Sequence, residues 1–170
     1  MNKLSLAHIF SAFFIVVIQV LLLKNIQVAV LDRYVVSAFI YPLIIIVLPY
    51  SMPRSIVLTI AFFVGIIVDV GYDSIGLHTS ALVLTAFLRY FVLLLIEPRS
   101  GYGENAMSLV SSGMPWFLRY SAIMLAIHVF TYFSFDAFTF VFIGKILVNT
   151  LLSFAVSFLL VNLYSMIFRG

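Results

Sequence analysis

The sequence predicts an all-α integral membrane protein, folded as a bundle of six transmembrane helices. Of its 170 residues, 65% are hydrophobic and 9% are charged, and the mean hydropathy is +1.25. Soluble domains contain about 25% charged residues, and a helix needs about 20 predominantly apolar residues to cross a bilayer. Six apolar stretches follow one another, separated by polar or proline-containing connections. We therefore expect a single polytopic membrane domain over residues 1–170, because every connection is too short to fold separately.

The first two predicted spans differ in regularity. Residues 4–23 form the first, which ends at Lys24 and Asn25. Its apolar run exceeds the roughly 7–15 residues of a signal-peptide core and no small-residue cleavage site follows it, so we expect a retained helix. Residues 34–50 form the second, which is short and contains Pro42 and Pro49. Because proline interrupts the hydrogen bonding of a helix interior, we expect the second helix to be broken.

Four further spans complete the predicted bundle. A short turn over residues 69–76 separates the third from the fourth, and the longest polar connection, residues 100–115, follows the fourth. The third to sixth spans are residues 55–70, 77–96, 116–135 and 141–168.

The distribution of lysine and arginine predicts the orientation. Cytoplasmic ends and loops of membrane proteins carry an excess of these residues. With the N-terminus inside, the inner positions hold Lys3, Arg54, Arg99, Arg119 and Arg169, the outer ones hold Lys24 and Arg33, and Lys145 lies just within the last helix. We therefore expect both termini in the cytoplasm. The net charge of +3 bears on this orientation, and no nucleic-acid partner is expected.

Arg89 is the most unexpected charge in the sequence. It lies twelve residues after Leu77, about 18 Å along a helix that rises 1.5 Å per residue. A charge in the middle of a bilayer costs about 2.5–3.5 kcal/mol on insertion scales. His78, Thr85 and Arg89 share one face of the fourth span, which predicts that this face looks into the bundle. Arg89 then either links helices, with its stem reaching toward the interface, or contacts a partner or ligand.

Other polar side chains recur at helical spacing. His8, Ser11 and Gln19 share one side of the first span, Ser121, His128 and Tyr132 one side of the fifth, and Lys145, Asn149 and Ser153 one side of the sixth. Small and hydroxylated residues at such positions usually pack helices against each other. We expect most of these residues to have that role.

Asp69 and Asp73 occupy the end of the third span. A continuous helix would bring the two like charges together at i and i+4, which is unfavourable, so Gly71 and Gly76 predict that the helix stops here. The pair could alternatively serve as a proton relay. Asp69 lies too far from Arg89 in depth for a salt bridge, so we expect it to pair with Lys145 or to accept a hydrogen bond from His78.

Enzyme signatures are missing from the sequence. It contains no H-E-x-x-H, no G-x-S-x-G and no P-loop, and the lack of cysteine excludes disulfides and thiolate sites. Asp69 and Asp136 could form an aspartyl protease pair, but neither lies deep in a span or in the expected glycine context. We predict that the protein is not an enzyme and has no cofactor or metal. A transporter subunit remains the alternative, since broken helices and polar inner faces occur at substrate sites.

A series of short motifs along nearly the whole chain resembles the rod shape-determining protein MreD family. The chain has Asp136-Ala137-Phe138 after the fifth span, where that family commonly has glutamate before Ala-Phe. The motifs are Pro53-Arg54, Gly65-x-x-x-Asp69, Gly76-Leu77-His78, Phe87-Leu88-Arg89, Pro98-Arg99, Trp116 with Arg119-Tyr120, and His128.

The resemblance implies a non-catalytic scaffold in the bacterial inner membrane that supports rod shape and lateral peptidoglycan synthesis. The implied partners are an MreC-like single-span protein and, in the wider complex, the MreB filament, a RodA-type glycosyltransferase and its transpeptidase. It also implies a fold similar to the substrate-binding subunits of energy-coupling-factor vitamin transporters, which keeps the transporter alternative open. The candidates for structural or partner contacts are Asp69, Gly76, His78, Arg89, Arg99, Arg119, His128 and Lys145.

Overall fold

The computed structural model describes residues 6–26, 28–30, 33–97 and 113–167. Their elements are, in chain order, α1 (Leu6–Leu21), β1 (Val28–Val30), β2 (Tyr34–Val36), α2 (Leu43–Ile46), α3 (Arg54–Tyr72), α4 (Leu77–Leu95), α5 (Met114–Ala137) and α6 (Ile143–Ile167). Short 3-10 turns lie at Leu23–Asn25 and Phe140–Phe142.

Four helices, α3 to α6, are long and apolar enough to cross a membrane. They contain 19, 19, 24 and 25 residues, and α1 is shorter, with 16. Consecutive helices pack against each other from α3 through α6, and α1 packs on α3. The predicted class of helical membrane protein is therefore confirmed. Apolar side chains such as Phe62, Phe63 and Ile67 remain exposed on α3, as expected for a surface that faces lipid rather than water.

The prediction that residues 34–50 form a transmembrane helix is wrong. This stretch starts as strand β2, continues as extended backbone, and contains only the single helical turn α2. Proline disfavours the helical conformation of the residue before it and blocks a helix interior. Pro42 accordingly lies at the N-cap of α2, where its missing N–H does no harm. We call residues 37–46 the inserted segment, because every one of them is buried among the helices.

The inserted segment runs through the bundle from one end to near the other. Strand β2, which precedes the segment, forms an antiparallel hairpin with β1. It lies against the first turns of α6 through Asn149. Leu48, two residues beyond the far end of the segment, meets the second half of α4 through Arg89. The segment is parallel to α6, since residues 35, 37 and 39 contact residues 149, 153 and 157 in that order.

Gly65 determines how closely α3 and α4 approach each other. A Cβ atom at this position would lie 2.5 Å from the Cα atom of Thr79, closer than real side chains come to backbone. The contact requires glycine, because only the lack of a side chain allows the two backbones to meet. This close approach places the last turn of α3, which contains Asp69, directly against the first turn of α4.

Candidate functional site

The candidate site is the set of buried polar side chains that surrounds the inserted segment. An extended segment inside a membrane protein cannot satisfy its own backbone N–H and C=O groups as a helix does. Each buried group left unpaired costs several kcal/mol in a setting without water. The side chains of neighbouring helices must therefore supply the missing hydrogen-bond partners.

Helix α6 supplies three such partners in a regular ladder, one to strand β2 and two to the inserted segment. Alternate residues of extended backbone are about 6.6 Å apart, and every fourth residue of a helix is about 6.0 Å apart, so two such rows stay in register over a few steps. The bonds run from Val35 N–H to Asn149 Oδ1 at 3.2 Å, from Ser37 N–H to Ser153 Oγ at 2.9 Å, and from Phe39 N–H to Ser157 Oγ at 2.9 Å.

Gln19 of α1 holds the opposite side of the inserted segment. Its Oε1 accepts a hydrogen bond from the Ile40 N–H at 2.8 Å, and its Nε2 donates to the Ala38 carbonyl at 3.0 Å. The same Nε2 donates to the Tyr72 hydroxyl at 2.6 Å. Gln19 is fully buried, so one amide ties α1, α3 and the inserted segment together.

A chain of hydrogen bonds links two histidines through Tyr41 of the inserted segment. The Thr85 hydroxyl donates its one proton to the Ala81 carbonyl at 2.7 Å. In its second contact, with His128 Nδ1 at 3.2 Å, the hydroxyl oxygen must therefore accept, so His128 Nδ1 carries the proton. His128 Nε2 then accepts from the Tyr41 hydroxyl at 2.7 Å, which leaves the tyrosine oxygen to accept from His78 Nδ1 at 3.0 Å. The hydrogen-bond network thus places a proton on Nδ1 of both imidazoles, and it assigns His128, whose Nε2 accepts, as the neutral Nδ1–H tautomer.

Phe39 fills the space beside this chain of hydrogen bonds. Its ring is fully buried and lies 4.8 Å from the Tyr132 ring, 5.8 Å from that of His128 and 6.1 Å from that of His78, centroid to centroid. The two histidine contacts are edge-to-face, the geometry that aromatic rings prefer. The polar groups therefore lie in a packed aromatic environment.

Asp69 caps the N-terminus of α4. Its Oδ1 accepts hydrogen bonds from the His78 N–H at 3.0 Å and the Ser74 hydroxyl, and its Oδ2 accepts from the Thr79 N–H at 2.9 Å and the Thr79 hydroxyl. The N-cap residue itself is Gly76, which adopts a left-handed φ of 77° and provides no capping side chain. The carboxylate thus replaces the usual N-cap group from the preceding helix.

The two partners predicted for Asp69 have different outcomes. His78 does donate a hydrogen bond to Asp69, but through its backbone N–H rather than its imidazole. Lys145 is exposed, and the ion pair found among the described residues joins Lys24 to Asp73 at 2.9 Å instead. Asp69 therefore acts on helix α4 rather than on α6.

Arg89 binds the backbone that follows the inserted segment. Its Nη2 donates to the carbonyls of Leu48 at 2.5 Å and Pro49 at 3.1 Å, and its Nε donates to the Tyr120 hydroxyl at 3.1 Å. Only 4% of the residue is exposed. Arg89 thus links α4 to α5 and donates to two carbonyls that follow α2, of which that of Pro49 also accepts from the Met52 N–H.

The remaining candidates lie away from this network. Arg119 is exposed near the start of α5, and Arg99 lies outside the described residues. Sequence reasoning did not identify Tyr41, Ser157 or Tyr72 as members of the site. The four-residue spacing of Asn149, Ser153 and Ser157 on α6 was the available signal, since it matches two-residue steps of an extended chain.

The chemistry of the site is hydrogen bonding between neutral groups, with Asp69 and Arg89 at its two ends. No group of three metal-ligating side chains occurs in the part of the chain that the structure describes. No protein-family profile, curated protein or solved structure matches the chain.

Proposed function

We propose that the protein is a non-catalytic scaffold of the bacterial cell-elongation machinery, of the kind that its resemblance to the rod shape-determining protein MreD family implies. It would lie in the inner membrane with both termini in the cytoplasm. Its direct partner would be an MreC-like single-span protein, and through it the MreB filament, a RodA-type glycosyltransferase and its transpeptidase.

The observation that supports this proposal is how the buried polar groups are used. Gln19, Arg89, Ser153 and Ser157 all bind backbone groups of residues 37–49. A transporter subunit would need comparable groups directed at a ligand. Polar side chains that form hydrogen bonds with the chain's own backbone make the bundle rigid. A rigid bundle suits a protein that acts through its outer faces.

The proposed topology has six membrane crossings, of which the second is the inserted segment with its single helical turn. This arrangement would be similar to the substrate-binding subunits of energy-coupling-factor transporters. Irregular backbone is tolerated at membrane depth where it is buried in protein, and here the residues on both sides supply its hydrogen bonds. The similarity would then be one of fold and not of transport.

Depletion combined with affinity purification tests the function. Depleting the protein in its native bacterium should round or swell the cells, and the tagged protein should co-purify an MreC-like single-span protein from native membranes. A tagged Gln19→Leu variant should restore shape poorly, because its bundle is destabilised, while Asn162→Leu should restore it fully. Normal shape on depletion, together with recovery of an ATPase and a stoichiometric small molecule, would favour a transporter subunit instead.

A further inference from the structure

A small cavity opens between the start of α3 and the last turns of α4. Its volume is about 30 Å³, and Arg54, Arg89, Tyr50 and Tyr90 are among the residues that line it. Arg54 is exposed and Tyr90 is 38% exposed, so the cavity reaches the surface. It lies at one end of α3 and α4, two helices long and apolar enough to cross a membrane, and tyrosine is enriched where the ends of such helices meet lipid headgroups.

Arg54 is held in place at the mouth of this cavity. Its guanidinium carbon lies 3.2 Å from the centre of the Tyr90 ring, which is a stacked cation–π contact. Stacking uses the face of the guanidinium and leaves its N–H groups in the plane for a ligand. These donors match the oxygen geometry of a phosphate.

Arg89 places a second positive charge at the inner side of the cavity. The acceptors that the described residues offer it, two carbonyls and the Tyr120 hydroxyl, are neutral. Among the described residues, neither arginine has a carboxylate at salt-bridge distance. A buried cation without a neutralising partner favours an anion nearby.

The first turn of α3 adds to the same positive potential. The Pro53 carbonyl accepts from the Ile56 and Val57 N–H groups, while the N–H groups of the first two helical residues have no partner within the helix. The N-terminal end of a 19-residue helix carries a partial positive charge and commonly binds anions.

From these four features we infer that the cavity is a phosphate-binding site. A cavity of this size can receive only a small group, such as part of a phosphate at its open mouth, and not a whole vitamin-sized ligand, whose pockets are about 300 Å³ or more. The phosphate belongs either to an anionic phospholipid, since basic pockets between membrane helices bind such headgroups, or to a soluble phosphate.

The test measures binding to the full-length protein in neutral detergent. Phosphatidylglycerol, diacylglycerol with the same acyl chains, and inorganic phosphate are titrated separately, with thermal unfolding and native mass spectrometry as readouts. Phosphatidylglycerol should bind and raise the melting temperature, and diacylglycerol should not. Arg54→Gln should weaken binding about tenfold, the size of a lost charge-assisted hydrogen bond.

Two further variants make the test specific. Arg54→Lys should restore only part of the affinity, because lysine keeps the charge but neither stacks nor binds in a bidentate manner. Arg119→Gln removes an exposed arginine near the start of another helix and should leave binding unchanged. Arg89→Gln is avoided as the main variant, because Arg89 also binds the backbone that follows the inserted segment and its loss would destabilise the fold.

The outcomes separate the two sources of phosphate. Stabilisation by phosphatidylglycerol alone, lost in Arg54→Gln, supports a lipid headgroup site. The same loss seen with inorganic phosphate supports a soluble source. The inference would be overturned if Arg54→Gln bound both probes as tightly as the wild type. It would also be overturned if Arg119→Gln lost as much affinity as Arg54→Gln.

Discussion

Ser153 Oγ accepts a hydrogen bond from the Ser37 backbone N–H at 2.9 Å, across 116 positions of the sequence. This bond is the middle step of the ladder between α6 and the extended backbone. It explains why a stretch that is not helical is nevertheless stable inside an apolar bundle, and it leads directly to the first prediction.

Ser153→Ala should lower the free energy of unfolding by about 1–3 kcal/mol, because it leaves the buried Ser37 N–H without a partner. Ser157→Ala should do the same through Phe39. Ser134→Ala is the matched control, since among the described residues its hydroxyl bonds to the Phe130 carbonyl of its own helix. Denaturant unfolding in detergent measures all three. If the ladder variants unfold like Ser134→Ala, the ladder does not stabilise the inserted segment.

The second prediction compares two amide side chains, Gln19, which is buried, and Asn162, which is half-buried. Gln19→Leu removes the partners of the Ile40 N–H, the Ala38 carbonyl and the Tyr72 hydroxyl at once, so it should destabilise more than any single serine variant. Asn162→Leu should be neutral or stabilising, because Asn162 donates to its own helix and its Oδ1 has no partner among the described residues.

Thermal unfolding of the two leucine variants under the same conditions checks whether the melting temperature falls in Gln19→Leu and stays equal or rises in Asn162→Leu. Both substitutions introduce the same apolar side chain, so the difference between them reports on the hydrogen bonds that each amide makes. Equal melting temperatures for Gln19→Leu and Asn162→Leu would show that the Gln19 bonds contribute nothing net.

The third prediction concerns the tautomers of the two histidines that Tyr41 links. His128 should appear as a neutral Nδ1–H imidazole, and His78 should carry a proton on Nδ1, in side-chain 15N NMR spectra of the protein in detergent or lipid. Tyr41→Phe removes the hydroxyl between them, so the Nε2 resonance of His128 should shift while its Nδ1–H bond to Thr85 remains. An Nε2–H tautomer of His128 in the wild type would contradict the assigned direction of the chain.

Much of the helical architecture could be predicted from the sequence because it depends on local pattern. Helices cover the third to sixth predicted spans, and α5, for example, occupies Met114–Ala137 where residues 116–135 were expected. The ends differ by a few residues because the helix continues past the apolar run into polar positions such as Asp136. The left-handed φ of Asp73, 55°, also fits the turn that the two glycines predicted.

The inserted segment could not be predicted in the same way. A short apolar run rich in isoleucine, valine and aromatic residues is compatible with a buried strand or a helix, and periodicity cannot decide between them. The deciding hydrogen-bond partners, Asn149, Ser153 and Ser157, lie more than 110 positions away. The sequence showed the polar face of α6 and Gln19 on α1, but not what they bind.

Asp69 gives a prediction that separates capping from ion pairing. Asp69→Ala should destabilise the protein by about 1–3 kcal/mol, because it leaves the first N–H groups of α4 without the carboxylate. Asp73→Ala is the control, since the Asp73 side chain is 87% exposed and such surface ion pairs contribute about 0–1 kcal/mol. Thermal stability in detergent is the measurement.

The exchange of Asp69 and Lys145 completes this test. Because Lys145 is exposed and Asp69 binds α4, the double variant Asp69→Lys with Lys145→Asp should be no more stable than Asp69→Lys alone. Lys145→Asp alone should be nearly silent. Recovery of stability in the double variant would show that the two charges interact and that the capping interpretation is incomplete.

The last prediction concerns orientation. The excess of lysine and arginine at one set of ends predicts that a reporter fused at Ser111 lies in the cytoplasm and one fused at Ser74 lies outside. The proposed topology requires these two positions to lie on opposite sides, because α4, which is long and apolar enough to cross a membrane, separates the α3–α4 turn from the residues that follow it. The measurement uses reporters that are active on only one side, alkaline phosphatase outside and a fluorescent protein inside. Reversed readings at both positions would place the termini outside, and equal readings would mean that α4 does not cross the membrane.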